Sequence, residues 1–119
     1  VALAGAATAG GVGPYGLQAR IAAEHTSDSK DWNRIAALYA LLAQVDRSPV
    51  VELNRAVAVA MAEGPERGLE LIAELEGGML DRYHLLHAAR ADLLRRLDRR
   101  DEAAEAYRRV LAWFRQYVD

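Results

Sequence analysis

The sequence predicts an all-α fold: a stack of about six antiparallel helices arranged as three helix pairs. Three observations carry this reading. Apolar residues recur at helical spacing along most of the chain. Pro, Gly and short polar residues cut it into pieces of helix length. Those pieces repeat at a spacing of about 34 residues. No stretch alternates apolar and polar residues for long enough to form a strand. Composition agrees, with 52% hydrophobic residues, mostly Ala, Leu and Val, and only eight aromatics in 119 positions. An Ala-rich interior suits closely packed helices, and Ala is the best helix former.

Gly10, Gly11, Gly13 and Pro14 close a lead-in, so residues 1–13 read as a flexible linker or cut end and 14–119 as the helical domain. The first helix is expected from about Pro14, whose fixed φ suits a helix start, to Thr26, where Ser27, Asp28 and Ser29 break it. The second runs from about Asp31 to Val45, capped near Asp31 or Ser29, with Ile35, Leu38, Tyr39 and Leu42 on one face. Ser48 and Pro49 start the third, which Gly64 and Pro65 stop after Glu63. The fourth spans Pro65 to Glu76 and ends at Gly77 and Gly78; the fifth covers about Tyr83 to Leu97; the sixth covers about Asp101 to Tyr117.

The second, fourth and sixth helices superpose by sequence. Ile35, Leu69 and Ala103 are spaced by 34 and 34, as are Leu38, Ile72 and Ala106, and Tyr39, Ala73 and Tyr107. The third and fifth match at an offset of 35, with Arg55-Ala56 on Arg90-Ala91 and Val59 on Leu94. A lone helix pair cannot bury its apolar face, so stacked pairs share a core. Ala56, Gly68 and Ala91 are expected where helices cross closely. Tyr39, Leu94 and Tyr107 are expected to fill the space between repeats, and Tyr107→Ala would then cost about 3–5 kcal/mol.

This pattern resembles the tetratricopeptide (TPR) repeat, which implies a right-handed superhelical stack. In the last unit Ala91, Leu94, Ala103 and Tyr107 fall at its small, large, small and aromatic positions. Asp31-Trp32 opens the second helix as an Asp-Tyr pair often does in that repeat; Gly68 and a short turn depart from the pattern. A more specific resemblance lies in three blocks: 13–25 (GPYGLQARIAAEH), 48–60 (SPVVELNRAVAVA) and 83–97 (YHLLHAARADLLRRL). In this order they are similar to the C-terminal TPR-like extension of bacterial extracytoplasmic-function (ECF-type) RNA polymerase sigma factors, over residues 13 to about 112. The resemblance implies a role in transcription initiation, with the factor's own sigma core regions and RNA polymerase as partners. A regulatory protein or peptide in the groove, lying along the first helix of each pair, is a further expectation. The promoter-reading segments of that family have no counterpart here, so no direct DNA contact is expected, and the net charge of −2 gives no nucleic-acid footprint.

Candidate interaction residues are Asn54 and Arg55, polar groups within an apolar helix; Arg90, the repeat counterpart of Arg55; Asp92 beside it; Tyr15 and Gln18 on the first helix; and His84. Asn54 and Arg55 read more simply as groups satisfying loop or helix-end carbonyls in the core; Arg90 or Asp92 could each pair within the stack, an ion pair holding two repeats in register weighing equally with a ligand contact. His84 and His87, one turn apart at a helix start, read as packed imidazoles, since a helix N-terminus disfavours a cation. Trp32 is expected to staple the first hairpin. A second functional reading is a small-molecule sensor, with a cavity lined by Tyr15, Trp32, Arg55 and His84. Glu66, Glu70 and Glu74 make an i, i+4 stripe that Arg95, Arg96, Arg99 and Arg100 could complement.

Chemistry finds little support. The chain has no cysteine, which excludes disulfides and thiolate sites and suits a reducing cytoplasm. His25, His84 and His87 follow no metal-ligand spacing, so neither metal nor cofactor is expected. No nucleophile elbow or phosphate loop is present; Gly10-Gly11-Val12-Gly13 follows no strand and reads as linker. No apolar run reaches the roughly 18–20 residues that span a bilayer. The apolar opening has no basic residues before it and no initiator Met, which points to a cut end rather than a signal peptide.

Overall fold

A computed structural model of the chain describes residues 13–26, 28, 30–78 and 83–118, without the side chains of 117 and 118. The linker reading of residues 1–12, with its glycines, and the breaker role of Ser27 and Ser29 lie outside the described residues. All regular structure among the described residues is helical: α1 (Pro14–His25), α2 (Trp32–Val45), α3 (Pro49–Glu63), α4 (Pro65–Leu75), α5 (His84–Arg96) and α6 (Arg100–Val118). Each expected helix forms within two residues of its expected ends.

Local chemistry explains the boundaries. Asp31 caps α2 by accepting the Arg34 N–H at 3.2 Å. Ser48 Oγ accepts the Val50 N–H at 3.2 Å, and Pro49 follows in the first turn of α3. Between α3 and α4 the whole connection is Gly64, at φ +114°, a conformation that side chains resist; Pro65 then starts α4 at once. The end of α5 uses a device not anticipated from sequence. Asp98 adopts φ +60°, its N–H bonds the Arg95 carbonyl at 3.0 Å, and the Arg99 N–H bonds that of Leu94 at 2.9 Å. This is a Schellman cap with Asp where Gly is usual.

The helices pack mainly with their chain neighbours: α1 on α2, α2 on α3, α3 on α4, α4 on α5 and α5 on α6, with α3 also touching α5 across α4. The described body is elongated, 45 × 28 × 25 Å. Its interior divides along this axis. Leu17 and Ile21 of α1 meet Leu38, Leu42 and Val51 at one end. Leu53, Ala56, Ala60, Ile72, Leu86 and Leu93 join α3, α4 and α5 in the middle. Ala91, Leu94, Ala103 and Ala106 join α5 and α6 at the other end, with Leu69 packed against both the middle and the end group.

Repeat-related positions are buried in parallel. Leu38, Ile72 and Ala106 are all buried, as are Ala56 with Ala91 and Val59 with Leu94. Gly68 lies where α4 crosses α3: a Cβ there would collide with that of Ala60 and reach 3.1 Å from the Ala56 carbonyl oxygen. The third set fails. Tyr39 is half-buried, whereas Ala73 and Tyr107 are exposed, Tyr107 by 41%. Tyr107 therefore does not fill a space between repeats. It sits 100° around the helix from Ala106, among the described helices α6 touches only α5, and what reaches the ring on that side is the exposed Arg95 side chain near the end of α5. Among the described residues no helix is long and apolar enough to cross a membrane.

Candidate functional site

Among the described residues a cleft of about 440 Å³ opens where α1, α2 and the start of α3 converge, a size in the range of ligand sites. Helix α1 gives it Gln18, Ile21, Ala22 and His25, whose i, i+3, i+4, i+7 spacing presents one face. Helix α2 gives Tyr39 and Leu42; the Ser48 cap and α3 give Val50, Val51 and Asn54. The floor is apolar, since Ile21, Leu42 and Val51 are buried. Gln18, His25 and Asn54 are exposed at the rim.

None of the lining residues is Asp, Glu, Lys or Arg. Burial pushes the Tyr39 phenol above its ordinary value, so it stays a neutral donor and acceptor. The His25 ring sits edge-on to Trp32 with centroids 5.7 Å apart, and Lys30 Nζ stands 5.6 Å from the Trp32 ring. Trp32 thus joins the end of α1 to the start of α2, as a staple should. Ser48 Oγ accepts the Val50 amide, which commits it to capping. The cleft is equipped to hold an uncharged group that has an apolar part and amide-like polarity: two carboxamides, a phenol and an imidazole above an aliphatic floor.

Of the candidate residues, Gln18 and Asn54 come together here. The others do not. Arg55 is half-buried and lies 3.7 Å from Glu52 one turn back. Arg90 reaches Glu76 at the end of α4, 3.3 Å away, which ties α5 to the preceding turn. Asp92 pairs with Arg95 at 2.7 Å and Arg96 at 3.0 Å on its own helix, not with Arg90. Partial burial raises the Asp92 pKa, but those two arginines outweigh it and hold the carboxyl below its usual value. Tyr15 is 87% exposed. His84 stacks on Trp113 at 4.0 Å, with Tyr83 and Phe114 edge-on to it; its Nδ1 is buried with no hydrogen-bond partner. His87 is buried in α5.

None of Tyr15, Trp32, Arg55 and His84, the residues expected around a ligand cavity, lines the cleft. The four C-terminal arginines answer the glutamate stripe at one point, where the charge of Glu66 acts on Arg99; their close pairs lie elsewhere. Arg95 and Arg96 pair with Asp92, Arg99 with Glu102 and Arg100 with Asp98, while Glu70 pairs with Arg67. A partner three or four residues away on the same helix is simply nearer. Sequence reasoning missed His25 and Tyr39 as cleft residues. The 18, 21, 22, 25 face was the available signal; that α2 would carry Tyr39 to it depends on how three helices cross. Among the described residues no group of three or more His, Asp or Glu is placed to hold a metal ion.

No known protein family matches the chain, and no solved structure does. An uncharacterized protein of Rhizobium meliloti (strain 1021) is 44% identical over 104 aligned residues, covering 84% of this chain and 24% of that protein. The chain is similar to a segment of that relative and spans about a quarter of its length.

Proposed function

We propose that this chain is the TPR-like regulatory and protein-interaction domain of an ECF-type sigma factor. It acts in transcription initiation by docking on the sigma core or on RNA polymerase, through binding rather than catalysis. One observation carries the reading. Eight cleft residues come from two of the three blocks that resemble that family: Gln18, Ile21, Ala22 and His25 from 13–25, and Ser48, Val50, Val51 and Asn54 from 48–60. Segments distant in sequence, linked first by resemblance, meet in one concave place. The matched burial of repeat-related positions supports the TPR-like superhelix, and the cleft's lack of charged side chains favours a neutral protein segment with an aliphatic anchor over DNA.

The test is transcription in vitro by the longer factor that carries this chain, with and without residues 13–119. Promoter activity is expected to change several-fold on removal, and Gln18→Arg with Asn54→Arg, which crowds two charges onto an uncharged rim, is expected to reproduce most of the change. Equal activity of all three proteins would refute the proposal. The second reading, a small-molecule sensor, rests on the same cleft volume; it predicts that activity responds to a small uncharged ligand and that the double variant is blind to it.

A further inference from the structure

The offset of 35 residues that aligns α3 with α5 also aligns α1 with α3, laying Pro14 on Pro49, Arg20 on Arg55 and Ile21 on Ala56. Carried forward by 35, the cleft residues Gln18, Ile21, His25, Val51 and Asn54 become Leu53, Ala56, Ala60, Leu86 and Ala89. These five counterparts all belong to the central core: four are buried in it and Ala89 packs against it. The helices follow suit. The backbones of α3 and α5 come within 8 Å, Cα to Cα, whereas those of α1 and α3 do not. One place in two successive repeats is solid in the second and open in the first.

Three differences separate the two places. Gln18 stands where the next repeat has Leu53, His25 where it has Ala60, and Asn54 where it has Ala89, while the floor positions stay apolar in both. Polar groups at positions that can be filled with hydrocarbon forgo apolar burial. Such departures from the packing pattern gather at functional sites. Among the described residues neither the Gln18 nor the Asn54 carboxamide is hydrogen-bonded within the chain, so each keeps its C=O and NH₂ for a ligand.

We propose that the cleft takes a leucine-type side chain of an extended partner segment, its hydrocarbon on the floor of Ile21, Leu42 and Val51 and its peptide group held by the carboxamides of Gln18 and Asn54. This deepens the docking reading above and rests on it for the source of the segment. The side chain follows from what the opening lacks, since Leu53 is what the next repeat puts at the position of Gln18. The extended backbone follows from the carboxamides. A peptide group inside a helix has its N–H and C=O engaged along the helix, whereas an extended one has both to offer. The lining has no Asp, Glu, Lys or Arg, which disfavours a free amino acid. Its ammonium and carboxylate would lose water and meet no opposite charge.

Titration of the whole chain with N-acetyl-leucinamide, followed by amide NMR shifts, tests this. Saturable shifts are expected at Gln18, Asn54 and the floor residues, with a Kd on the order of millimolar for so small a probe. N-acetylglycinamide, which lacks the side chain, and free leucine, which carries both charges, should each bind at least about tenfold more weakly. The triple variant Gln18→Leu, His25→Ala, Asn54→Ala carries the residues of the next repeat at all three positions. It should lose the shifts and melt no lower than wild type, because sites kept for binding are not the ones that hold a fold together. Shifts retained in that variant would take the carboxamides out of the site, and a clearly lower melting temperature would make the three residues structural. Free leucine binding as well as the capped probe would make the ligand an amino acid. Each of these results overturns the proposal. Probe binding with transcription unchanged on removal of residues 13–119 sinks the sigma-factor reading alone; a transcriptional effect without probe binding sinks this inference alone.

Discussion

At the scale of the residue, small side chains decide how closely the helices approach. Gly68 is buried against Ala56 and Ala60, and a methyl group there has no room. Gly68→Ala should therefore destabilise the protein by about 1–3 kcal/mol in urea unfolding, although Ala is the better helix former by about 1 kcal/mol. A variant as stable as wild type would mean that α3 and α4 can move apart freely. This position was legible in the sequence because a glycine inside an amphipathic helix, in line with Ala-rich crossings, marks a point where two backbones come close. Tyr107 was not legible. The repeat pattern locates an aromatic at the right phase but cannot say whether a helix lies beyond it. Asp98 escaped notice for a different reason: it does with an ordinary side chain what the pattern rules assign to Gly.

At the scale of the element, α4 is the shortest of the described helices. It has 11 residues, and Gly68 and Ile72 are its only fully buried positions. Ile72 lies wholly inside the central group, at 0% exposure among residues of α3 and α5, while Leu69, Leu71 and Leu75 pack against it from its edge. Ile72→Ala is expected to cost about 3–4 kcal/mol, while Tyr107→Ala, with its ring half in water, should cost under about 1 kcal/mol. Chemical denaturation of the two variants side by side measures the contrast; equal losses would contradict the packing described for α6. Helix ends were readable because Pro, Ser, Asp and Gly act through their immediate neighbours. The cleft was readable only in part. Gln18 and Asn54 stand out as polar groups on apolar helices, but their meeting place is set by three helix crossings that no local rule fixes. Arg55, Arg90 and Asp92 stood out for the same reason and found nearby ionic partners instead.

At the scale of the whole molecule, surface charge is organised into short-range pairs, and their response to acid follows from two carboxyls. Arg99 holds Glu102 below the ordinary glutamate value, mainly through its hydrogen bonds at 2.7 and 2.8 Å, and Arg95 and Arg96 hold Asp92 down despite its partial burial. Both groups bind a proton less readily folded than unfolded. Their contribution is thus complete above the unfolded carboxylate values and disappears as pH falls through the lower, folded ones. The melting temperature should stay level from about pH 8 to 5 and drop below about pH 4. The combined Asp92→Asn and Glu102→Gln variant should show a shallower acid limb in the same thermal melts. A limb as steep as that of wild type would assign the acid sensitivity to other groups. The effect is small, because both pairs face solvent.

The neighbour-to-neighbour packing has a consequence in time as well as in space. A fold whose helices touch mainly those next to them in the chain closes only short loops as it forms, which makes for rapid assembly. The apolar group under the cleft draws only on α1, α2 and the first residues of α3, ending at Val51, and the cleft lining ends at Asn54. During synthesis, which proceeds from the amino end, the cleft can therefore take shape while the ribosome is still making α4, α5 and α6.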